Sequence, residues 1–204
     1  MGAPKALLEY AQGESFLRHL AGVFGAAGCE VRAVLGHDAA RIEANHPDIR
    51  TIRNERWREG QLSSARLGIA GALEAGAALI LVHPVDVPTI SAATVRMLLS
   101  PPSSGSRAKN HLGGGWLHAE RRRGAVPVFR GTPGHPLLLP RACAEAILRE
   151  SAPTLEAALK SVGIDEVPVD DAAVVSNINT AEDYERAFGR PPRLVGGGGV
   201  LRAP

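Results

Sequence analysis

The sequence predicts a three-layer α/β fold, a mostly parallel sheet with helices on both faces, and three observations carry that prediction. Strand-like and helix-like stretches alternate from residue 15 to residue 99. The run Ala77 to Val82 is continuously aliphatic, as a strand covered on both faces requires. Hydrophobic residues make up 45% and charged residues 22% of the 204, a balance that suits one globular core and excludes a disordered tail or a fibrous repeat.

Each element follows from local pattern. Phe16, Leu17, Leu20, Val23 and Phe24 recur at helical spacing between Ser15, a cap, and Gly28, a stop. Glu30 to Leu35 reads as a strand, Asp38 to Asn45 as a short helix, and Ile49 to Arg53 as a strand alternating apolar with polar. A helix over Leu62 to Ala75, the buried strand, and a helix from the cap Ser91 to Leu99 complete this half. Residues 100–124, rich in Ser, Gly, Arg and Pro, show neither period and read as an irregular insertion. Strands are expected at Val126 to Phe129, Leu137 to Leu139, Asp165 to Val169 and Val174 to Ser176. Helices are expected at Arg141 to Arg149, Leu155 to Ser161 and from Thr180 to Phe188, where Thr180-Ala-Glu-Asp183 has the form of a capping box. One domain over residues 1–188 and a flexible tail over 189–204 follow from this reading.

Charge and composition narrow the function classes. Lys and Arg number 23 against 21 Asp and Glu, a net charge of +2; apart from Arg121 to Arg123 the basic residues are scattered, and aromatics are 4%, which argues against a nucleic-acid surface. The longest apolar run falls far short of the roughly 20 residues of a bilayer span, and the first residues lack a secretory pattern, so a soluble, cytoplasmic protein is expected. Cys29 and Cys143 have no ligand or disulfide spacing and read as core residues. The histidines likewise lack metal-ligand spacing.

Five segments place polar or backbone-special residues where such a sheet presents them to a ligand. In Met1-Gly2-Ala-Pro-Lys5, a lysine after a Gly/Pro loop offers a point charge to phosphate oxygens, or is simply solvated. Asn54 and Gly60-Gln-Leu-Ser63-Ser64 offer amides and hydroxyls at a helix start, where a serine cap is the equal alternative. His83-Pro-Val-Asp86-Val-Pro88 follows the buried strand, and a carboxylate there is placed to hold Mg²⁺ while phosphates and waters complete the octahedron. Gly134-His135-Pro136 is either a ligand-side loop or a tight turn. Asn177 and Asn179 share a side across Ile178, whereas Glu182 and Asp183 belong to a first helical turn.

Taken in this order, the segments resemble the molybdenum-cofactor nucleotidyltransferases, the cytidylyltransferases and guanylyltransferases that join a nucleotide to the molybdopterin phosphate. Met1-Gly-Ala-Pro-Lys-Ala-Leu-Leu8 is similar to the end of the family's Gly-rich motif, and Asn54 with Gly60 to Ser64 to its base-contacting segment. Asp86-Val-Pro88 is similar to its metal-binding Asp-x-Pro, Gly134-His-Pro136 to its acceptor-side turn, and Asn177 to Asp183 to its closing motif. The resemblance spans residues 1–99 and 125–188 and implies a Rossmann-like sheet of the nucleotide-diphospho-sugar transferase type. It implies Lys5 and Asp86 as catalytic, Asp86 and Asn179 as Mg²⁺ ligands, and Gly2, Lys5, Asn54, Gly60, Ser63 and Ser64 as nucleotide-binding, with Gly134 and His135 on the acceptor side.

The implied substrates are an NTP and a phosphorylated acceptor such as molybdopterin, with a molybdoenzyme as a possible partner. The family's Leu-Ala-Ala-Gly-x-Ser-x-Arg loop and the strand before it have no counterpart here, so the first strand is expected to be missing and the true start codon to lie upstream. Pro4-Lys5 and Gly60 to Ser64 favour CTP, while Asn177-Ile-Asn179 is similar to the guanylyltransferase form. The alternatives are a sugar-phosphate nucleotidyltransferase and a catalytically silent nucleotide-binding paralogue.

Overall fold

The computed structural model describes residues 3–100 and 123–200. Residues 5–15, where the sequence analysis assigns no element, form a 3-10 turn over Lys5–Leu7 and a small hairpin, β1 (Glu9–Ala11) with β2 (Glu14–Ser15). Ser15 caps α1 (Phe16–Ala26), its hydroxyl accepting from the Arg18 amide at 3.0 Å, and Gly28 at φ 86° makes the left-handed turn beyond it. β3 (Arg32–Leu35), α2 (Ala39–Asn45) and β4 (Arg50–Arg53) follow, each slightly shorter than its pattern suggests.

α3 (Gln61–Glu74) starts from Gly60, whose φ of 97° favours glycine. β5 (Leu79–Val82) leads to α4 (Ala92–Leu99), capped by the Ser91 hydroxyl, which accepts from the Thr94 amide at 3.1 Å. Beyond residue 123 come β6 (Gly124–Phe129), β7 (Thr132–Pro133), β8 (Leu137–Pro140), α5 (Arg141–Arg149), α6 (Leu155–Leu159) and β9 (Ile164–Pro168). α7 (Ala181–Phe188) opens on the expected capping box of Thr180 and Asp183. A last hairpin joins β10 (Arg193–Leu194) to β11 (Gly197–Val200).

The strands form two principal sheets. β3 and β4 pair in parallel as a two-stranded sheet, and β5, β8, β6 and β7 follow one another in a five-stranded sheet with β9 beside β6. Within the larger sheet β6 and β9 run parallel, while β8 is antiparallel to both β5 and β6. Consecutive residues of β5 show why its sequence is aliphatic throughout. Ile80 packs with Ile69, Cys143, Ile147 and Ala158 of α3, α5 and α6, whereas Leu81 packs with Leu20, Phe24 and Val95 of α1 and α4 on the opposite face. The layers of a helix-covered sheet are thus formed by one strand's alternation.

The larger sheet is mixed, with three antiparallel pairs and one parallel pair where mostly parallel pairing was expected, and two local expectations also differ from the structure. Val174 to Ser176 is not a strand: residues Ala172–Val175 form a 3-10 helix, because the Asp171 carboxylate accepts from the Ala173 amide at 3.0 Å and closes the turn. The tail expected to be flexible from residue 189 carries β10 and β11. Leu194 bridges to Leu8, and the Val195 amide donates to the Leu7 carbonyl at 2.9 Å. The expected insertion lies almost wholly outside the described residues.

Candidate functional site

At the end of β5 the chain enters a loop with prolines at 84 and 88, and this stiff turn presents Asp86. Three hydrogen bonds hold the loop: the Ile178 amide donates to the Asp86 carbonyl at 2.7 Å, the Val87 amide to the Pro84 carbonyl at 3.3 Å, and His83 Nε2 to the Val87 carbonyl at 2.9 Å. The Asp86 side chain is 21% exposed; its Oδ2 meets Lys5 Nζ at 3.0 Å, while its Oδ1 is buried without a partner. Lys5 Nζ also donates to Asn179 Oδ1 at 2.6 Å. Lys5, Asp86 and Asn179, expected from three separate segments, therefore form one cluster, and two of the three ammonium N–H donors bridge the carboxylate and the amide.

Lys5 is held in place from the carboxyl-terminal side. The Tyr184 hydroxyl donates to the Glu9 carbonyl, and Arg190 donates to the carbonyls of Glu9 and Tyr10 at 3.2 Å each while pairing with the Glu9 carboxylate at 3.4 Å. With Val195 on Leu7, these bonds clamp the segment that carries Lys5. The sequence reading missed this clamp, because Arg190 and Leu194 sit in a Pro/Gly-rich stretch with no periodic signal.

Asn54, Ser63 and Ser64 form a second cluster. Asn54 is 6% exposed; its amide donates to Ser63 Oγ at 2.9 Å and Ser64 Oγ at 2.8 Å, and its Oδ1 accepts from the Arg56 amide at 3.0 Å. The carboxamide thus orders the loop that leads into α3. Neither serine caps α3: Ser63 Oγ donates to the Gly60 and Arg56 carbonyls, and Gly60 stands at the cap. The two clusters are neighbours through the core, since Val85 packs against the group that contains Ala6, Leu7 and Leu35, and Leu35 accepts from the Asn54 amide at 2.7 Å.

The turn at Gly134 lies close by. A Cβ at Gly134 would stand 2.3 Å from the Val174 carbonyl oxygen, so the glycine is required by the approach of the chain's own backbone. The His135 ring lies 6.2 Å from the His83 ring at 90°, and Nδ1 of each is buried without a partner. Burial pushes the His83 pKa down to about 4 and lowers that of His135, so both rings are neutral near pH 7; the Val87 hydrogen bond at His83, and the nearby Asp86 carboxylate at both, partly oppose the shift. Because a carbonyl only accepts, His83 carries its hydrogen on Nε2 and presents a bare lone pair at Nδ1.

Gly2 lies outside the described residues. Among those described, no group of three or more His, Cys, Asp or Glu residues is placed to hold a metal ion by itself. A cation here would need ligand oxygens, and the orphaned Asp86 Oδ1 is the group suited to it. Burial raises the thiol pKa of Cys29 and Cys143, in keeping with core roles. A groove of about 550 Å³ lies elsewhere, lined by Glu14, Arg18, Glu30, Asp48 and Arg50, whose ion pairs leave it little to offer a ligand. No described helix is long and apolar enough to cross a membrane.

A family model described as the MobA-like NTP transferase domain matches residues 1–166. No curated protein matches the sequence. Among solved structures, Rv0371c from Mycobacterium tuberculosis H37Rv is similar at 21% identity and a TM-score of 0.69, over 93% of this chain and 91% of that one. A manganese complex of the same protein has a TM-score of 0.66 at 22% identity, over 93% and 94%. The Methanothermobacter nucleotidyl transferase Mth528 gives 22% and 0.68, over 91% and 83%. Molybdopterin-guanine dinucleotide biosynthesis protein A from Archaeoglobus fulgidus gives 12% and 0.62, over 92% and 90%. At these identities the likenesses establish the fold.

Proposed function

The chain belongs to the MobA-like NTP transferase domain family and is a nucleotidyltransferase, and from that premise we propose that it transfers NMP from CTP, in preference to GTP, to a phosphorylated small molecule. Molybdopterin is the acceptor favoured, in keeping with the molybdopterin-guanine dinucleotide biosynthesis protein among its structural neighbours. The observation that carries this reading is the bridging of Asp86 and Asn179 by Lys5, a cation already set against two oxygen ligands.

In this reading Lys5 lies against the triphosphate, and its donors pass from Asp86 and Asn179 to phosphate oxygens when the nucleotide enters. Asp86 and Asn179 would hold Mg²⁺; a manganese complex exists for a structural neighbour. When bound, the divalent ion offsets charge on the phosphates. Gly2, Asn54, Gly60, Ser63 and Ser64 shape the nucleotide side, with Asn54 acting by ordering the two hydroxyls. His135, on the turn that Gly134 makes possible, lies on the acceptor side, and the acceptor's ionised phosphate needs no strong base. Its oxygen bonds to the α-phosphorus as the bond to the bridging oxygen breaks, and pyrophosphate leaves with the electron pair. Positioning and electrostatics carry the rate.

Equilibrium binding of CTP and of GTP, each with and without Mg²⁺, tests the reading. Binding of CTP that is measurable without metal, tightened by Mg²⁺ and stronger than that of GTP is expected, followed by pyrophosphate release only when a phosphorylated acceptor is added. A folded chain that binds neither nucleotide would overturn it.

A further inference from the structure

We propose that His83 is a positioning residue for Asp86, holding the loop that aims the carboxylate at a divalent cation; the inference rests on the reading above that Asp86 binds the metal. The backbone of the loop offers few donors. Pro84 and Pro88 have no N–H, the Val87 amide is already used on the Pro84 carbonyl, and the Val87 residue is fully buried. Its buried carbonyl finds its donor in a side chain, His83 Nε2 at the start of the loop, at 2.9 Å.

Asp86 is thereby pinned at neighbouring peptide units, its own carbonyl by the Ile178 amide at 2.7 Å and the next by His83. The imidazole itself packs beside two rings, with centroids 5.1 Å from Phe24 of α1 and 6.2 Å from His135. A ligand carboxylate must be held within about half an ångström of its working position, and the groups that orient it carry much of a site's metal affinity.

The test is titration of Mn²⁺ into the full chain loaded with CTP or GTP, whichever binds, for wild type, His83→Leu, His83→Gln and His83→Asn. Gln can place an amide N–H where Nε2 stands, whereas Asn reaches only the position of Nδ1. His83→Leu and His83→Asn are expected to weaken Mn²⁺ binding about tenfold or more, with metal-free nucleotide affinity unchanged, and His83→Gln to recover most of the loss. Turnover should show the same order as a raised metal requirement, with kcat restored by excess metal. Should His83→Leu fail to fold, the contrast between Gln and Asn decides alone. Equal Mn²⁺ affinity in wild type and the Leu or Asn variant overturns this inference alone, as does a Gln variant no better than Asn. A wild type that binds nucleotide but no Mn²⁺ overturns it together with the metal reading of Asp86.

Discussion

Around β3 and β4, carboxylates and guanidiniums form pairs in which at least one partner is more than half exposed: Arg18 with Asp48, Glu30 with Arg32 and Arg50, Glu43 with Arg53, and Arg56 with Glu59. At the end of β5 one ammonium and one carboxylate meet in a partly buried place, beside three buried atoms without partners, Asp86 Oδ1, His83 Nδ1 and His135 Nδ1. The first region satisfies its charges within the chain and gains little from it, because water screens exposed pairs. The second keeps polar atoms short of partners where desolvation makes that costly, so it has free energy to gain from a ligand. Incomplete pairing under burial, rather than density of charge, distinguishes the candidate site.

The sharpest way to break this contrast is Asp86→Ala. Turnover is expected to fall by on the order of a hundredfold to a thousandfold, the loss seen when one preorganised electrostatic group is removed, while the melting temperature stays close to that of wild type. A large loss of stability with unchanged turnover in the folded fraction would make Asp86 a structural residue.

Ser15 is the intermediate case, a buried polar group whose partners are complete. Its hydroxyl caps α1 and meets His46 Nε2 at 2.6 Å, and His46 is 2% exposed. Ser15→Ala should cost about 1–2 kcal/mol in urea unfolding with no change in turnover per folded molecule.

The pH dependence separates the histidines from the carboxylates by window. His83, held at about 4, and His135, also lowered, both titrate in the folded chain below the ordinary value of 6.5, so the unfolded chain binds more protons in between. Stability should therefore fall as pH drops from 6.5 towards 4. His83→Gln should flatten that slope in a melting series. Asp48 and Asp183, held at about 2 chiefly by Arg18 and by the Thr180 amide respectively, contribute above 3.8 and lose that contribution only as pH falls from there towards 2. The smallest effect is Arg18→Ala, whose pair is 40% and 60% exposed; at physiological salt and pH 7 it should lower the melting temperature only slightly.

Much of the fold was legible because its signals are local. The caps at Ser15, Ser91 and Thr180 each act within three residues, and the alternation of β5 was visible in its unbroken aliphatic run. Asp171 turned an expected strand into a 3-10 helix, since a side chain two residues away outbid apolar pattern. The β10–β11 hairpin was invisible because its docking on Leu7 and Leu8 depends on residues far off in sequence.

The candidate site divides in the same way. By itself the sequence determined which residue types were available and which were turn, cap or strand end, since those follow from neighbours along the chain. Only the tertiary structure decided that Lys5 meets Asp86 across 81 residues and Asn179 across 174. Contacts of that span are set by which apolar faces pack together, and no local pattern encodes the polar atoms that such packing strands or joins.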